Sequence, residues 1–145
     1  MIQVNINYLA VLVAAIVSHI LGFLWYGPLF GQMWISLMKF DKKKVQEAQK
    51  KGMKGMWKTM ALSFLASLVT AWILAHSIIF ASDYLKISGL LAGLMVGFMT
   101  WLGFYATTML GSVMWEGKPA KLYFLNVSYY LVSLLLMSSI LSLWR

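Results

Sequence analysis

Polar side chains occur at helical spacing inside stretches of the chain that are otherwise apolar. His19 and Tyr26 are seven residues apart, which places them on the same face of a helix. Because polar groups in an apolar environment need a partner or a function, such residues are candidates for a binding site. Two later stretches carry similar groups, and the full set is His19, Tyr26, Trp101, Tyr105, Thr108, Asn126 and Tyr130.

Two interpretations of these residues remain open. If their helices converge, the hydroxyl, amide and indole groups line a polar pocket, and His19 can titrate at its floor. Otherwise each polar group hydrogen-bonds to a neighbouring helix, and each such bond contributes about 0.6 kcal/mol. Trp and Tyr near the ends of the apolar stretches also fit the aromatic belts of membrane proteins.

The sequence lacks the residue patterns of the common catalytic and metal sites. It has no Cys, which excludes disulfides, zinc–thiolate sites and a Cys nucleophile. Its two His residues have no metal-ligand spacing, and neither an HExxH motif nor a phosphate-binding loop is present. We therefore expect no enzyme, no bound metal and no cofactor.

Four apolar segments must position the candidate residues. Hydrophobic residues make up 61% of the 145-residue chain and charged residues 11%, whereas about a quarter of a soluble domain is charged. A membrane-spanning helix needs about 20 mostly apolar residues, and the segments of sufficient length are 8–30, 60–82, 87–113 and 122–144. The sequence predicts an all-α integral membrane bundle of four transmembrane helices, folded as a single domain over 1–145.

Positive charge is concentrated in the connection between the first two segments. This connection, residues 31–59, holds eight of the twelve basic residues of a chain whose net charge is +8. The positive-inside rule places it in the cytoplasm and both termini outside, as expected for a multi-pass protein of the cell membrane. The positive net charge is therefore explained by the orientation of the chain in the membrane, and we expect no nucleic-acid partner.

A short helix is predicted within this connection, from Asp41 to near Gly52. Its lysines can attract anionic lipid headgroups, at about 1 kcal/mol for each residue near the surface. The lysines concerned are Lys42, Lys43, Lys44, Lys50 and Lys51. Membrane lipids are thus the first expected partner, although the same lysines also suffice to fix topology alone.

Small residues recur at intervals of about four in the first three segments, a pattern that lets helices approach closely in lipid. The third segment is predicted to be the central packing helix, through Gly89, Gly93, Gly97 and Gly103. The other two ridges are Ala10, Ala14, Ser18 and Gly22, then Ser63, Ser67, Ala71 and Ala75. Because one small bundle does not obviously use three ridges, we expect a homo-oligomer.

The sequence also contains a weak internal duplication. LGFLWYGPLFGQMW at residues 21–34 aligns with LGFYATTMLGSVMW at residues 102–115, and the two share their first three residues and the final Met-Trp. Both stretches lie at the end of a segment expected to run from outside to inside. The duplication predicts two repeated helix pairs related by an axis along the membrane normal.

Several of these motifs resemble a known family. The stretches that carry the resemblance are LGFLWYGPLFGQMW, WLGFYATTML and WEGKPAKLYFLNVSYYLVSLLLMSSIL. They look like the domain-of-unknown-function family 1761 of small four-span bacterial membrane proteins. The resemblance covers nearly the whole chain and implies a bacterial inner-membrane location, but it adds no reaction.

The sequence favours a membrane protein with a structural role, or one that binds a small hydrophobic ligand or lipid such as a quinone. An oligomeric transporter or channel for a small neutral or hydrophobic species is the alternative. The two differ in what the bundle should contain, because binding needs a pocket whereas transport needs a continuous wetted path.

Overall fold

The computed structural model describes residues 5–144, and every regular element in that range is helical. The chain belongs to the all-α class, as the sequence predicts. In order, the elements are α1 (Tyr8–Leu24), a π-helical turn (Trp25–Leu29), α2 (Gly31–Met38), α3 (Lys42–Leu85), α4 (Gly89–Thr100), a second π-helical segment (Trp101–Ala106), a 3₁₀ turn (Thr108–Leu110), α5 (Gly111–Met114) and α6 (Ala120–Leu143).

Four helical stretches are long and apolar enough to cross a membrane. They are Tyr8–Leu29, Lys42–Leu85, Gly89–Met114 and Ala120–Leu143, and we call them spans one to four. The second differs most from its predicted bounds, because α3 continues without a loop from the basic connection into the apolar segment. We call the end of the bundle where α3 begins the Lys-rich end, and the opposite end, where α1 begins, the terminal end.

The long helix α3 is bent at Gly52. Its start at Asp41 is confirmed, since the Asp41 carboxylate accepts a hydrogen bond of 3.1 Å from the Lys43 backbone N–H. Gly52 has φ 55° and ψ −154°, a backbone conformation open to glycine and strained for other residues. The basic segment therefore forms its own short helix, which meets the long apolar helix at an angle set by this glycine.

Helix α6 lies at the centre of the bundle. Its contact with α4 is the most extensive between any two elements, and it also packs against α1 and α3. Of the four spans it is the most buried. The prediction that the third segment is central was therefore wrong, because within residues 5–144 the substantial helix neighbours of α4 are α6 and α3 alone.

Two of the four glycines predicted for helix packing lie at the α4–α6 contact. A Cβ built on Gly93 would lie 2.5 Å from the Ser138 carbonyl oxygen, and one on Gly97 would lie 3.0 Å from the Leu134 carbonyl oxygen. Such distances leave no room for a side chain, so the two backbones touch. The small serines of α6 face these glycines, which is why a helix without glycine can approach so closely.

The other two glycines of the predicted set do not pack against a neighbouring helix. Gly89 has φ +62° at the start of α4, and a Cβ there would have no neighbour within 4 Å. Gly103 is exposed and equally open. It comes six residues after Gly97, about 240° further around the helix, and so lies away from α6.

The two halves of the chain share one layout, as the internal duplication suggests. Each half has a first span that ends in a π-helical segment, a short helix, and then a second long helix. Within each half the two long helices pack together, and between the halves α6 contacts α1 while α3 contacts α4. Exchanging the halves leaves this pattern of neighbours unchanged, which is the arrangement expected of two repeated helix pairs.

Candidate ligand-binding cavity

A cavity of about 290 Å³ lies between the four spans, in the half of the bundle near the Lys-rich end. Hydroxyl groups dominate its walls, since eight of its eleven lining residues are Ser, Thr or Tyr and none is charged. The lining residues are Ser18, Ser63, Ala66, Ser67, Thr70, Tyr105, Tyr129, Tyr130, Ser133, Leu134 and Met137.

One wall of the cavity is a stripe of hydroxyls on α3. Ser63, Ser67 and Thr70 are three or four residues apart, so one face of the helix carries all of them. The Ser67 hydroxyl donates to the Ser63 carbonyl at 3.1 Å, and the Thr70 hydroxyl donates to the Ala66 carbonyl at 3.0 Å. Because the Ser67 hydroxyl hydrogen is used within the helix, its oxygen is left as an acceptor for a ligand, whereas the Thr70 side chain also hydrogen-bonds Tyr105.

The opposite wall joins α1 to α6. The Ser18 and Ser133 hydroxyl oxygens are 2.8 Å apart and buried, and the Tyr129 hydroxyl donates to the Ser18 carbonyl at 3.4 Å. Beside them, Tyr130 lines the cavity, and its ring centroid lies 4.4 Å from that of Tyr105. The Tyr130 hydroxyl can donate a hydrogen bond to a molecule bound in this space.

A row of six aromatic rings runs from the cavity towards the Lys-rich segment. Successive centroids are 4.4 to 5.6 Å apart, within the range of favourable aromatic pairs. In order, the rings belong to Tyr105, Tyr130, Tyr129, Tyr26, Trp34 and Phe40. Five of the rings come from four helical elements and Phe40 from the connection before α3, so the row links these parts of the bundle.

Five of the seven predicted pocket residues divide into two groups in the structure. Tyr105 and Tyr130 line the cavity, with their ring centroids 4.4 Å apart. Tyr26 instead donates to the Asn126 side-chain oxygen at 2.9 Å, and the Trp101 indole donates to the Val127 carbonyl at 2.8 Å. The pocket and the interhelical hydrogen bonds are thus both present, on different members of the set.

His19 and Thr108 lie away from the cavity, contrary to the expectation from sequence. Ser18, one residue earlier, points into the bundle, whereas the half-buried His19 ring packs edge-on against Phe64 at 5.7 Å. Thr108 is exposed and donates to the Phe104 carbonyl of its own span. His19 lies about 100° around α1 from Ser18, and Thr108 follows a π-helical segment that changes the spacing of its span.

The sequence-based set missed the α3 wall. Ser63 and Ser67 were assigned to a packing ridge because they are small and spaced by four. The detectable signal was that this ridge changes from alanine to hydroxyl residues towards the Lys-rich end. In the structure Ala71 and Ala75 are buried in helix packing, while the serines line the cavity.

The small-residue ridges of the first two spans are both used within one chain. Ala10, Ala14 and Ser18 are buried in the bundle, as are Ala71 and Ala75 on α3. The α3 ridge continues towards the Lys-rich end with Ser67, which is half-buried, and Ser63, which is exposed. The homo-oligomer stays a prediction.

Four helices long and apolar enough to cross a membrane are consistent with a multi-pass helical membrane protein. A family model described as "Protein of unknown function (DUF1761)" matches residues 9–142, so the chain belongs to that family. The resemblance inferred from the sequence motifs is thereby confirmed. No curated protein and no solved structure matches the chain.

Proposed function

We propose that this protein binds a small, uncharged amphiphile within the membrane, in the hydroxyl-lined cavity. The observation that carries the proposal is the lining itself, in which eight hydroxyl residues and no charged residue surround about 290 Å³. This volume is close to the lower end of the range for small-molecule sites, about 300 Å³. A molecule with a compact polar group, such as a quinone ring or a lipid alcohol, fits that space.

The absence of charge in the lining defines the ligand class. A charged group would lose its hydration without gaining an opposite charge, at a cost of several kcal/mol. Hydroxyl oxygens on α3 accept hydrogen bonds, and the Tyr130 hydroxyl opposite can donate one. A ligand that carries both a carbonyl and a hydroxyl group, or either alone, can therefore be held.

Binding is favoured over transport by the packing of the terminal end. Beyond the cavity the four spans close on a core of large and small apolar side chains, including Leu74, Ile78 and Leu141, each no more than 5% exposed. In the described range, the cavity therefore ends against this core. A transporter would have to open the most tightly packed part of the bundle in each cycle.

Filling the cavity tests the proposed binding. The protein is purified in mild detergent without added lipid, and the molecules that it retains are identified by mass spectrometry. Ala66→Trp places a large side chain in the cavity, whereas Ala61→Trp places the same side chain on an exposed position of the same helix that does not line the cavity.

We expect wild type and Ala61→Trp to retain the same small molecule, and Ala66→Trp to lose at least nine-tenths of it. Melting temperatures measured in parallel show that both variants are folded. Equal retention by the two variants, or the absence of any retained molecule from wild type, would contradict the proposal.

We also propose that the Lys-rich segment, residues 42–58, contacts anionic headgroups at the cytoplasmic surface of the cell membrane. Its lysines are exposed, and the apolar Met53 and Trp57 beside them are exposed as well. The Lys58 ammonium lies 5.8 Å from the Trp57 ring centroid, so charged and apolar groups share this surface. That combination is typical of helices that lie at a membrane surface.

Neutralising part of this segment tests the lipid contact. Replacing Lys42, Lys43 and Lys44 by Gln removes three charges, each worth about 1 kcal/mol near an anionic surface. We expect the preference for phosphatidylglycerol over phosphatidylcholine, measured with spin-labelled lipids, to fall about 100-fold, the change that about 3 kcal/mol corresponds to. Lys118→Gln with Lys121→Gln is the control outside the segment, and an equal fall there would contradict a specific role.

A further inference from the structure

The cavity is open on its α3 side. Ser63 and Ala66 both line it, and both are exposed. A residue that faces a cavity and is also exposed lies at the mouth of that cavity. Ser18 and Ser133, on the opposite wall, are buried and form its floor.

The opening follows from the way span three leaves α3. Helix α4 packs against α3 near the terminal end. Beyond Thr100, span three continues through the π-helical segment, the 3₁₀ turn and α5, which pack against α6. Among the described residues, these three elements make no more than marginal contact with α3. A slot therefore opens between α3 and the π-helical segment on the Lys-rich side of the hydrogen bond that joins Tyr105 to Thr70, with Tyr105 at one edge and Ala66 at the other.

The rim of this slot is apolar. On the α3 side Leu62 is 68% exposed, and on the π-helical side Phe104 is 72% exposed. The neighbouring residues Leu65 and Leu102 are exposed too. All four lie within spans long and apolar enough to cross a membrane, so the surface around the slot suits acyl chains and not water.

We propose that the occupant of the cavity enters sideways from the bilayer, through the slot between α3 and the π-helical segment Trp101–Ala106. This inference rests on the proposed binding function and narrows its ligand class. The ligand is an amphiphile that partitions into lipid, with its polar group against the hydroxyl wall and its apolar part between Leu62 and Phe104. A water-soluble molecule has no comparable route through this apolar rim.

Fluorescence quenching in liposomes tests the access route. Because the chain contains no Cys, Ser63→Cys introduces a unique attachment point for a bimane label at the mouth of the slot. Two quenchers are compared, a phospholipid with a nitroxide on its acyl chain and aqueous iodide. Leu62→Cys is the lipid-facing reference, and Lys50→Cys, in the exposed basic segment, is the aqueous reference.

We expect the label at residue 63 to be quenched by the nitroxide lipid within twofold of the label at residue 62. Iodide should quench it at least fivefold less than the label at residue 50. Quenching by iodide comparable to residue 50 would overturn sideways access, since the mouth would then face water. Protection from both quenchers would also overturn it, since the slot would be closed.

The proposed access route and the proposed binding function can be contradicted independently of each other. If the quenching result is negative while Ala66→Trp still abolishes retention of the small molecule, binding stands and the route is wrong. If wild type retains no molecule, the proposed function is overturned whatever the quenching shows. The two experiments therefore assign a failure to one statement or the other.

Discussion

The two ends of the bundle are built from the same four helices but packed in opposite ways. Near the terminal end, small residues such as Ala14, Ala71 and Gly93 lie at the contacts, and the helices close on one another. Near the Lys-rich end, the contacts are made by Tyr and Trp rings, and a cavity remains between them. Side-chain size along each helix thus determines where the bundle is closed and where it is open.

The largest effect is expected at the closest backbone contact. Gly93→Leu would place a side chain where a Cβ alone lies 2.5 Å from the Ser138 carbonyl, so α4 and α6 must separate. We expect destabilisation of about 3 kcal/mol, at the upper end of overpacking effects. Thermal unfolding in detergent measures it.

Gly103→Leu is the matched control for this substitution, because Gly103 is on the same span and has open space around it. Its stability should stay within about 0.5 kcal/mol of wild type. Similar losses in the two variants would show that the packing contrast along span three is wrong.

A second pair of substitutions compares the two ends directly. Leu74 and Leu134 are each 2% exposed, but only Leu134 lines the cavity. Leu74→Ala should cost about 3 kcal/mol because it creates a new void in a closed core. Leu134→Ala enlarges space that already exists, so we expect a cost at the lower end of the range for such substitutions, about 2 kcal/mol. Equal melting temperatures for the two variants would contradict this difference.

The smallest expected effect concerns the ring contacts of the open end. Trp101→Phe removes the indole N–H that donates to the Val127 carbonyl, while it keeps most of the aromatic surface. We expect a loss of about 0.6 kcal/mol, or about 2 °C in melting temperature. Trp115→Phe changes a residue that is 85% exposed and should leave the melting temperature unchanged. A shift as large as that of Leu74→Ala would mean that the rings, and not the small residues, hold the bundle together.

The sequence predicts the helices well because length and apolar composition are sufficient for that purpose. The four long helices and the helix start at Asp41 follow from composition and capping alone. The kink at Gly52 likewise lies at a glycine, the residue type that adopts a positive φ most readily.

The rotation of each helix about its axis is harder to predict than its position in the chain. His19 was expected in the pocket and Ser18 occupies that place, a difference of one residue or about 100°. In span three the π-helical segment widens the turn, so spacing counted in units of 3.6 residues drifts before Thr108. Which hydroxyls face inward depends on such rotations, and only tertiary contacts fix them.

A tryptophan at the start of each π-helical segment donates a hydrogen bond to the backbone of α6. The Trp25 indole donates to the Leu125 carbonyl at 3.2 Å, and the Trp101 indole donates to the Val127 carbonyl at 2.8 Å. These carbonyls are two residues apart, about 200° around the helix, so the two hydrogen bonds reach α6 from opposite sides. Rotation of α6 about its axis would break at least one of these two hydrogen bonds. Neither indole contacts α3 through these bonds, so a displacement of α3 that widens the cavity would leave both hydrogen bonds intact.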